Sequence, residues 1–467
     1  MGAIDLGETH SILLGPGHQV AGGFPGSGSA GGDFRSQIMA PGVMAPRDAP
    51  LIGVLSDSLP ALVPSLAISE RYDTNVLNAP AIAGLDRSDF VTQIVPQLRI
   101  IPRTDGMIKG MIVLGAVGEI YAKNAALNNV GFNVTGNLDF TRAAQRLISE
   151  RLTFSVNETF LYTPILPGFM SKDIPAADST QQVDQGTSFL QGIQVPRVNT
   201  YMNSVSVSST FATTRTLLLF LSASHNIVHF SGGTIGTGNG SGSVSNTGLI
   251  DTQGRQVSIG PRWQYNQTDN LTLVYMYSRV DFAKVLDPGA SPYFETQGVM
   301  ASWSGQFSDR SWYASANIGA FEASPGHQVQ TNGGLNVGYR LKDTTIGAAY
   351  SRSFSPAYYG TSGPLIADVY GLQVFHFVSS QTSVNLAANY SHAVTLAGGA
   401  VASDYSFDSY MGSAAVNYMF DRTWLARIAY TYSKFVGSGL SVASGITGGA
   451  LNFDRQIVML TMTKLWY

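Results

Sequence analysis

The sequence predicts an all-β fold, a transmembrane antiparallel β-barrel of about eighteen strands with short periplasmic turns and long external loops. Three observations carry that expectation: alternating segments of about 10 to 14 residues, connections that alternate between short and long, and a composition poor in charge yet rich in aromatics. Charged residues are 12% of the 467-residue chain, about half the usual ~25%, while aromatics reach 10%. So few charges cannot cover the water-facing surface of ordinary soluble domains.

The composition also excludes other classes. Mean hydropathy is only +0.08, and the longest apolar runs, around Leu217–Leu221 and Met111–Val117, fall far short of the ~18 residues a membrane helix needs. Disordered chains lack the aromatic and β-branched residues abundant here. The absence of cysteine removes disulfides, thiolate zinc sites, c-type haem attachment and cysteine nucleophiles. A net charge of -3 gives no global attraction to nucleic acid. The first residues, Met1 to Pro16, lack the basic start and apolar core of a secretory signal, so an exported chain would be a mature form or a truncated gene model.

Residues 1–63 are rich in Gly, Pro, Ser and Ala without sustained period, and read as a flexible lead, periplasmic or lumenal; residues 64–467 read as the barrel. Strands of this length exceed the ~5 to 6 residues of soluble proteins and match the ~9 to 11 needed to cross a bilayer with tilt. In the segment 132–140, Phe132, Val134, Leu138 and Phe140 alternate with Asn133, Thr135, Asn137 and Asp139. Leu152, Phe154, Val156, Phe160 and Tyr162 alternate with Thr153, Ser155, Asn157 and Thr159. Val257, Ile259, Trp263 and Tyr265 oppose Ser258, Gly260, Arg262 and Gln264. The same split separates Leu335, Val337 and Tyr339 from Asn336, Gly338 and Arg340, and Trp424, Ile428 and Tyr430 from Arg427 and Thr431. Aromatics mark the ends of the oily faces, where interfacial girdles belong.

Short polar turns are expected at 102–106, 212–215, 267–270, 308–310, 342–344, 379–381 and 420–422. Longer loops fall at 78–88, 122–130, 163–198, 231–254, 283–292, 356–368, 395–405 and 434–450. That asymmetry is the one expected of outer-membrane barrels, and an even count places both barrel ends on the periplasmic rim. Sixteen strands is the alternative count, because 142–151 and the doubly apolar 216–230 are ambiguous. A soluble propeller or β-helix should repeat at a fixed period, and none is visible. The loop 163–198 resembles in position the constricting third external loop of general porins.

Leu465-Trp466-Tyr467, with Leu465, Met459 and Ile457 on one alternating face, looks like the C-terminal signature that barrel assembly machinery reads in bacterial outer-membrane proteins; Thr461 and Thr463 depart from it. The opening segment Pro64–Val76, followed by Ser88-Asp89-Phe90 and Val95-Pro96-Gln97-Leu98, is similar to the first strands of the putative beta-barrel porin-2 group, whose relatives are often associated with exopolysaccharide systems. The resemblance implies a Gram-negative outer-membrane pore of undetermined cargo.

Chemistry-bearing motifs are sparse. His225 and His229 share a strand face about 13 Å apart, too far for one metal ion, and read as polar rim residues. The remaining histidines have no ligand-spaced partners, so no metal site, no cofactor and no catalytic residue is expected. Serine is too frequent for pairings such as Ser391-His392 to indicate a hydrolase. The Gly-rich stretch 232–242 lacks the Lys-Ser/Thr of a phosphate-cradling loop. No basic-aromatic platform for nucleic acid occurs.

The polar face carries the functional hint. Its expected basic members are Arg71, Arg99, Lys109, Arg151, Arg262, Arg340, Arg427 and Lys464, against Asp73, Glu119, Asp139 and Asp454. Arg262, Arg340, Arg427, Arg99, Lys109 and Arg151 are the expected pore-lining set, and a channel of that sign concentrates anions. The expected partners are outer-membrane lipid, the assembly machinery, an anionic saccharide or polysaccharide, and a periplasmic or exopolysaccharide-system partner. The other class of function is a non-conducting barrel that sheathes or anchors a partner. Arginines and aspartates that merely stiffen the wall, or a basic periplasmic vestibule alone, also fit the pattern.

Overall fold

The computed structural model describes residues 61–76, 87–102, 106–163, 199–231, 251–266, 269–283, 291–307, 311–324, 327–355, 365–395, 406–421, 423–438 and 451–466. Its strands are β1 (Ala61–Asp73), β2 (Asp89–Ile101), β3 (Lys109–Tyr121), β4 (Asn129–Asp139), β5 (Leu152–Thr163), β6 (Asn199–Ala212), β7 (Leu217–Ser231), β8 (Thr252–Gln264) and β9 (Asn270–Phe282). The second half comprises β10 (Tyr293–Phe307), β11 (Trp312–Ser324), β12 (Gln328–Arg340), β13 (Thr344–Ser355), β14 (Leu365–Phe377), β15 (Thr382–Thr395), β16 (Ser406–Met419), β17 (Trp424–Ser438) and β18 (Leu451–Leu465).

Each strand pairs antiparallel with its chain neighbours, and β1 also pairs with β18, so the 18-stranded sheet closes without an edge. Closure matters because an open edge would leave backbone donors and acceptors unsatisfied in lipid. With ~4.8 Å between strands and a tilt near 40°, eighteen strands give a backbone radius of about 18 Å. Both barrel ends lie on the short-turn rim, where the Trp466 N–H donates to the Pro64 carbonyl at 3.1 Å.

The alternation sorts the side chains as expected. On β8, Gln256 and Ser258 are buried toward the lumen while Val257 (44%), Ile259 (43%) and Trp263 (41%) stand on the outer face. Leu271, Leu273, Ile318, Leu335, Leu372, Leu386 and Ile428 continue the outer apolar band, which only lipid can cover without penalty. Aromatics border it at both levels. Near the short turns Trp312 packs on Tyr339 with ring centroids 4.4 Å apart, and the Lys464 ammonium lies 4.8 Å from the Trp424 ring centre. Toward the long loops, Tyr350, Tyr370, Tyr390 and Tyr410 form a ladder across β13 to β16, with centroid spacings of 5.0, 5.9 and 5.0 Å. Tyr350 and Tyr390 each donate their hydroxyl at 2.8 Å to an aspartate one strand over, Asp368 and Asp408.

Four sequence expectations change in detail. The barrel begins at Ala61, three positions before the expected Pro64, because Leu62 already continues the outward alternation. The ambiguous 216–230 is a single strand, β7, whose outward Leu219 and Leu221 and inward Leu218 and Phe220 make both faces apolar at its periplasmic end. The 142–151 connection holds a helix, α1 (Thr141–Leu147), so it is the longest link on the otherwise short-turn rim. On the opposite rim only residues 325–327 separate β11 from β12, a link that was not among the expected loops, and His327 has a φ of 50°. The lead 1–60 and most of the loop 163–198 lie outside the described residues.

Candidate functional site: the lumen wall

The inner wall is built by alternate residues of all eighteen strands, and most are small and polar. Thr153, Ser155, Asn157 and Thr159 on β5, and Ser204, Ser206 and Ser208 on β6, are representative. Such side chains hydrogen-bond across strands, as Ser155 Oγ does with Ser208 Oγ at 2.6 Å and Asn336 Nδ2 with Ser315 Oγ at 3.1 Å. An apolar island interrupts this lining where Phe220, Val274, Met276 and Phe321 pack together with Met300.

Charge on the wall is divided into two levels. Near the short-turn rim, Arg99, Lys109, Arg262, Arg340 and Arg427 occupy inward positions within four residues of the short-turn ends of their strands. They come from β2, β3, β8, β12 and β17, and therefore ring the mouth. All five are half-buried or exposed. The acidic inward strand residue described at this level is Asp139, opposite Lys109 in the β3–β4 register. Among the described residues, Lys109, Arg262 and Arg340 form no ion pair.

The second level lies toward the long loops on the wall from β18 to β3, and is almost closed to solvent. Arg71, Asp73, Glu119 and Arg455 are each 3% exposed or less. Arg71 Nη1 stands 3.3 Å from Glu119 Oε1, while Arg455 Nε donates to both Asp73 oxygens at 3.0 and 3.1 Å. Glu119 also accepts from Gln93 Nε2 at 3.2 Å, Tyr121 Oη at 2.8 Å and Asn129 Nδ2 at 3.1 Å. Two cations and two anions, each with neutral donors around them, make a charge-balanced network; burial without such pairing would cost several kcal/mol per ion. Asp89, opposite Asp73 in register, accepts from the Lys123 and Asn124 amides at 2.9 Å and so ties down the β3–β4 connection.

Of the expected pore-lining residues, Arg262, Arg340, Arg427, Arg99 and Lys109 stand at inward positions. Arg151 does not: it is an exposed residue of the turn after α1, before β5 begins, and lines no strand face. Lys464 and Asp454, expected on the wet face, point outward, because the inward positions of β18 are odd-numbered: Arg455, Ile457, Met459, Thr461 and Thr463. The same register turns Leu465 inward and puts Trp466 outside, so the apolar face of the terminal strand is Val458, Leu460, Met462 and Trp466; Tyr467 lies outside the described residues. Arg455 and Asp89 were missed. Period 2 on β18 could have found Arg455, had the apolar residues on both faces not allowed either phase.

His225 and His229 lie on the outer face. His229 Nδ1 contacts Asp251 Oδ2 at 2.6 Å beside the loop, in keeping with a polar rim residue. Among the described residues no three His, Cys, Asp or Glu side chains gather as a metal site would require.

No protein-family model matches the sequence, and no curated protein matches it. Solved structures similar to it include the outer membrane protein OpdK of Pseudomonas aeruginosa, at 10% identity over 87% of this chain and 99% of that one, with a TM-score of 0.43. OccAB4 of Acinetobacter baumannii is similar at 10% identity, over 88% of this chain and 100% of that one, with a TM-score of 0.42. The siderophore receptor PirA of Pseudomonas aeruginosa is similar at 9% identity, over 87% of this chain and 80% of that one, with a TM-score of 0.41.

Proposed function

We propose that this chain is an outer-membrane pore for passive passage of hydrophilic solutes, with a weak preference for anions and no bond made or broken. The observation that carries the reading is the basic collar, Arg99, Lys109, Arg262, Arg340 and Arg427, set against Asp139 around the periplasmic mouth of a polar-lined barrel. Guanidinium groups stay charged at any accessible pH and hold carboxylate or sulfate through two hydrogen bonds. An acidic saccharide or polysaccharide suits that chemistry, and the likeness of the opening strands to an exopolysaccharide-associated group is what suggests it. Outward Trp466, next to the strand end, supports reading by the assembly machinery. Purified protein in planar bilayers under a salt gradient tests the pore: a reversal potential of anion-selective sign is expected, and cation preference would remove the anionic cargo.

The burial of Arg71, Asp73, Glu119 and Arg455 favours a second reading. An inner wall shielded from water at that level suits a non-conducting barrel that sheathes or anchors a partner. Absence of any conductance from a folded barrel would select it.

A further inference from the structure

We infer that the outer face of β7 and β8, at the long-loop edge of the apolar band, is a binding site for a phosphate-bearing lipid headgroup, centred on Arg255. Three arginines of the described strands point outward: Arg255, Arg279 and Arg352. Arg279 is held by Asp281 at 2.7 Å and Glu295 at 2.9 Å, and Arg352 faces Asp368 at 3.5 Å. Arg255 is exposed and has no carboxylate partner among the described residues. An arginine aimed at the edge of a lipid-facing band without a protein anion is completed most readily by an anion of the membrane itself.

Its surroundings fit a lipid in both halves. The register sets Arg255 between His225 on β7 and Arg279 on β9, so one row carries two guanidiniums and an imidazole. Gln253, the outward neighbour beyond Arg255, donates to His225 Nε2 at 2.8 Å and fixes that ring beside the site. Guanidinium can grip two phosphate oxygens at once, and the imidazole adds a polar contact. One step toward the membrane centre, small Ala223 lies between Val207 and Val257 on the same face, with Leu221 and Ile259 beyond it. Those residues make a shallow apolar track that starts directly beneath the cations, where an acyl chain would run. The carboxylates around Arg279 leave Arg255 as the cation available to the phosphate.

The test uses the full barrel in detergent, with lipid A, a diphosphorylated glycolipid, and its dephosphorylated form as probes, read by native mass spectrometry. Wild type is expected to retain lipid A and to discriminate against the dephosphorylated form. Arg255→Gln should weaken retention by at least about fivefold, the effect of one interfacial cation of about 1 kcal/mol. Arg352→Gln, which removes a cation already paired with Asp368, should retain lipid A as wild type does. Heat-modifiable migration on a gel establishes that both variants are folded; if Arg255→Gln does not fold, Arg255→Lys, which keeps charge and loses the fork, should still bind more weakly than wild type. Equal retention by wild type and the folded Arg255 variant, equal loss in Arg352→Gln, or no preference for the phosphorylated probe would overturn the site. Complete displacement of lipid A by inorganic phosphate would make it a free-anion site and overturn the lipid assignment.

Discussion

Arg455 on the last strand grips Asp73 on the first: its Nε reaches both carboxylate oxygens at 3.0 and 3.1 Å across the seam where the barrel closes. The two residues are 382 positions apart, and Asp73 also accepts from the Asn75 amide at 3.0 Å. Both are buried, so removing one partner leaves an uncompensated charge. Arg455→Ala or Asp73→Ala should cost about 3–5 kcal/mol. Urea titration of the refolded barrel measures it, and the double substitution should cost less than the two singles added, because it removes the orphaned charge along with the pair.

The two faces of β11 make opposite demands on a charge. Ile318 is 69% exposed on the outer band, whereas Ser315 points inward and accepts a hydrogen bond from Asn336. Ile318→Arg should cost about 2–4 kcal/mol if its depth is near the midplane, and Ser315→Arg much less, since its guanidinium meets the lumen. Equal loss of folded barrel on a heat-modifiability gel would mean that the register is wrong.

Gly338 and Tyr313 share one place on the inner wall. A Cβ at Gly338 would lie 1.8 Å from Tyr313 Cζ, so the glycine exists to let the ring lie flat across β12. Gly338→Ala should push the ring off its rotamer and cost about 1–3 kcal/mol. Combining it with Tyr313→Ser removes the clash, and the denaturation midpoint of the pair should then exceed that of Gly338→Ala alone.

The β16–β17 turn is capped by Asp421, whose carboxylate accepts from the Thr423 amide at 2.6 Å, the Thr423 hydroxyl at 2.8 Å and the Trp424 amide at 3.0 Å. Those donors, the Thr423 amide foremost, hold its pKa below the ordinary carboxylate value of 3.8. A folded pKa below the unfolded one means that the contribution is fully present above pH ~4 and is lost as pH falls through the folded value. The melting temperatures of wild type and Asp421→Asn should therefore differ at neutral pH and converge on acidification below about pH 4. A difference that persists unchanged into that range would show that the cap is not carried by the ionised carboxylate.

How much of this was legible follows from distance along the chain. Alternation is local, so the faces of β5, β8, β12 and β17 could be read residue by residue. It failed on β18, where Ile457 and Met459 oppose Val458 and Leu460 and hydrophobicity does not choose the phase; a one-residue slip then exchanged Lys464 and Asp454 for Arg455. The basic collar was legible because arginines at strand ends beside short turns are local facts. The buried network was not, since Arg455 joins Asp73 only through closure of the whole sheet, a relationship set by topology. The link 325–327 is as short in sequence as a periplasmic one and carries no sign of the rim to which it belongs.

The collar and the buried network separate two explanations of selectivity. Arg262 and Arg340 have no ion pair among the described residues, and Arg427 stands at the same level, whereas Arg71 and Arg455 are matched by Asp73 and Glu119. Among the described residues, Arg262 and Arg340 therefore leave positive charge for a solute to feel, whereas the network is balanced. Screening over ~8 Å at physiological salt keeps the effect modest across a wide mouth, so a shifted reversal potential is expected and cations are not excluded. Replacing Arg262, Arg340 and Arg427 together by Gln should move that potential toward the unselective value while leaving the barrel folded, because none of the three lies in the seam network. A conservative change within the network, Glu119→Gln, should instead lower stability with little effect on selectivity, since its charge is buried and paired. If the triple variant keeps the wild-type potential and Glu119→Gln shifts it, the selectivity-determining charge lies at the long-loop level and the periplasmic collar is a vestibule only.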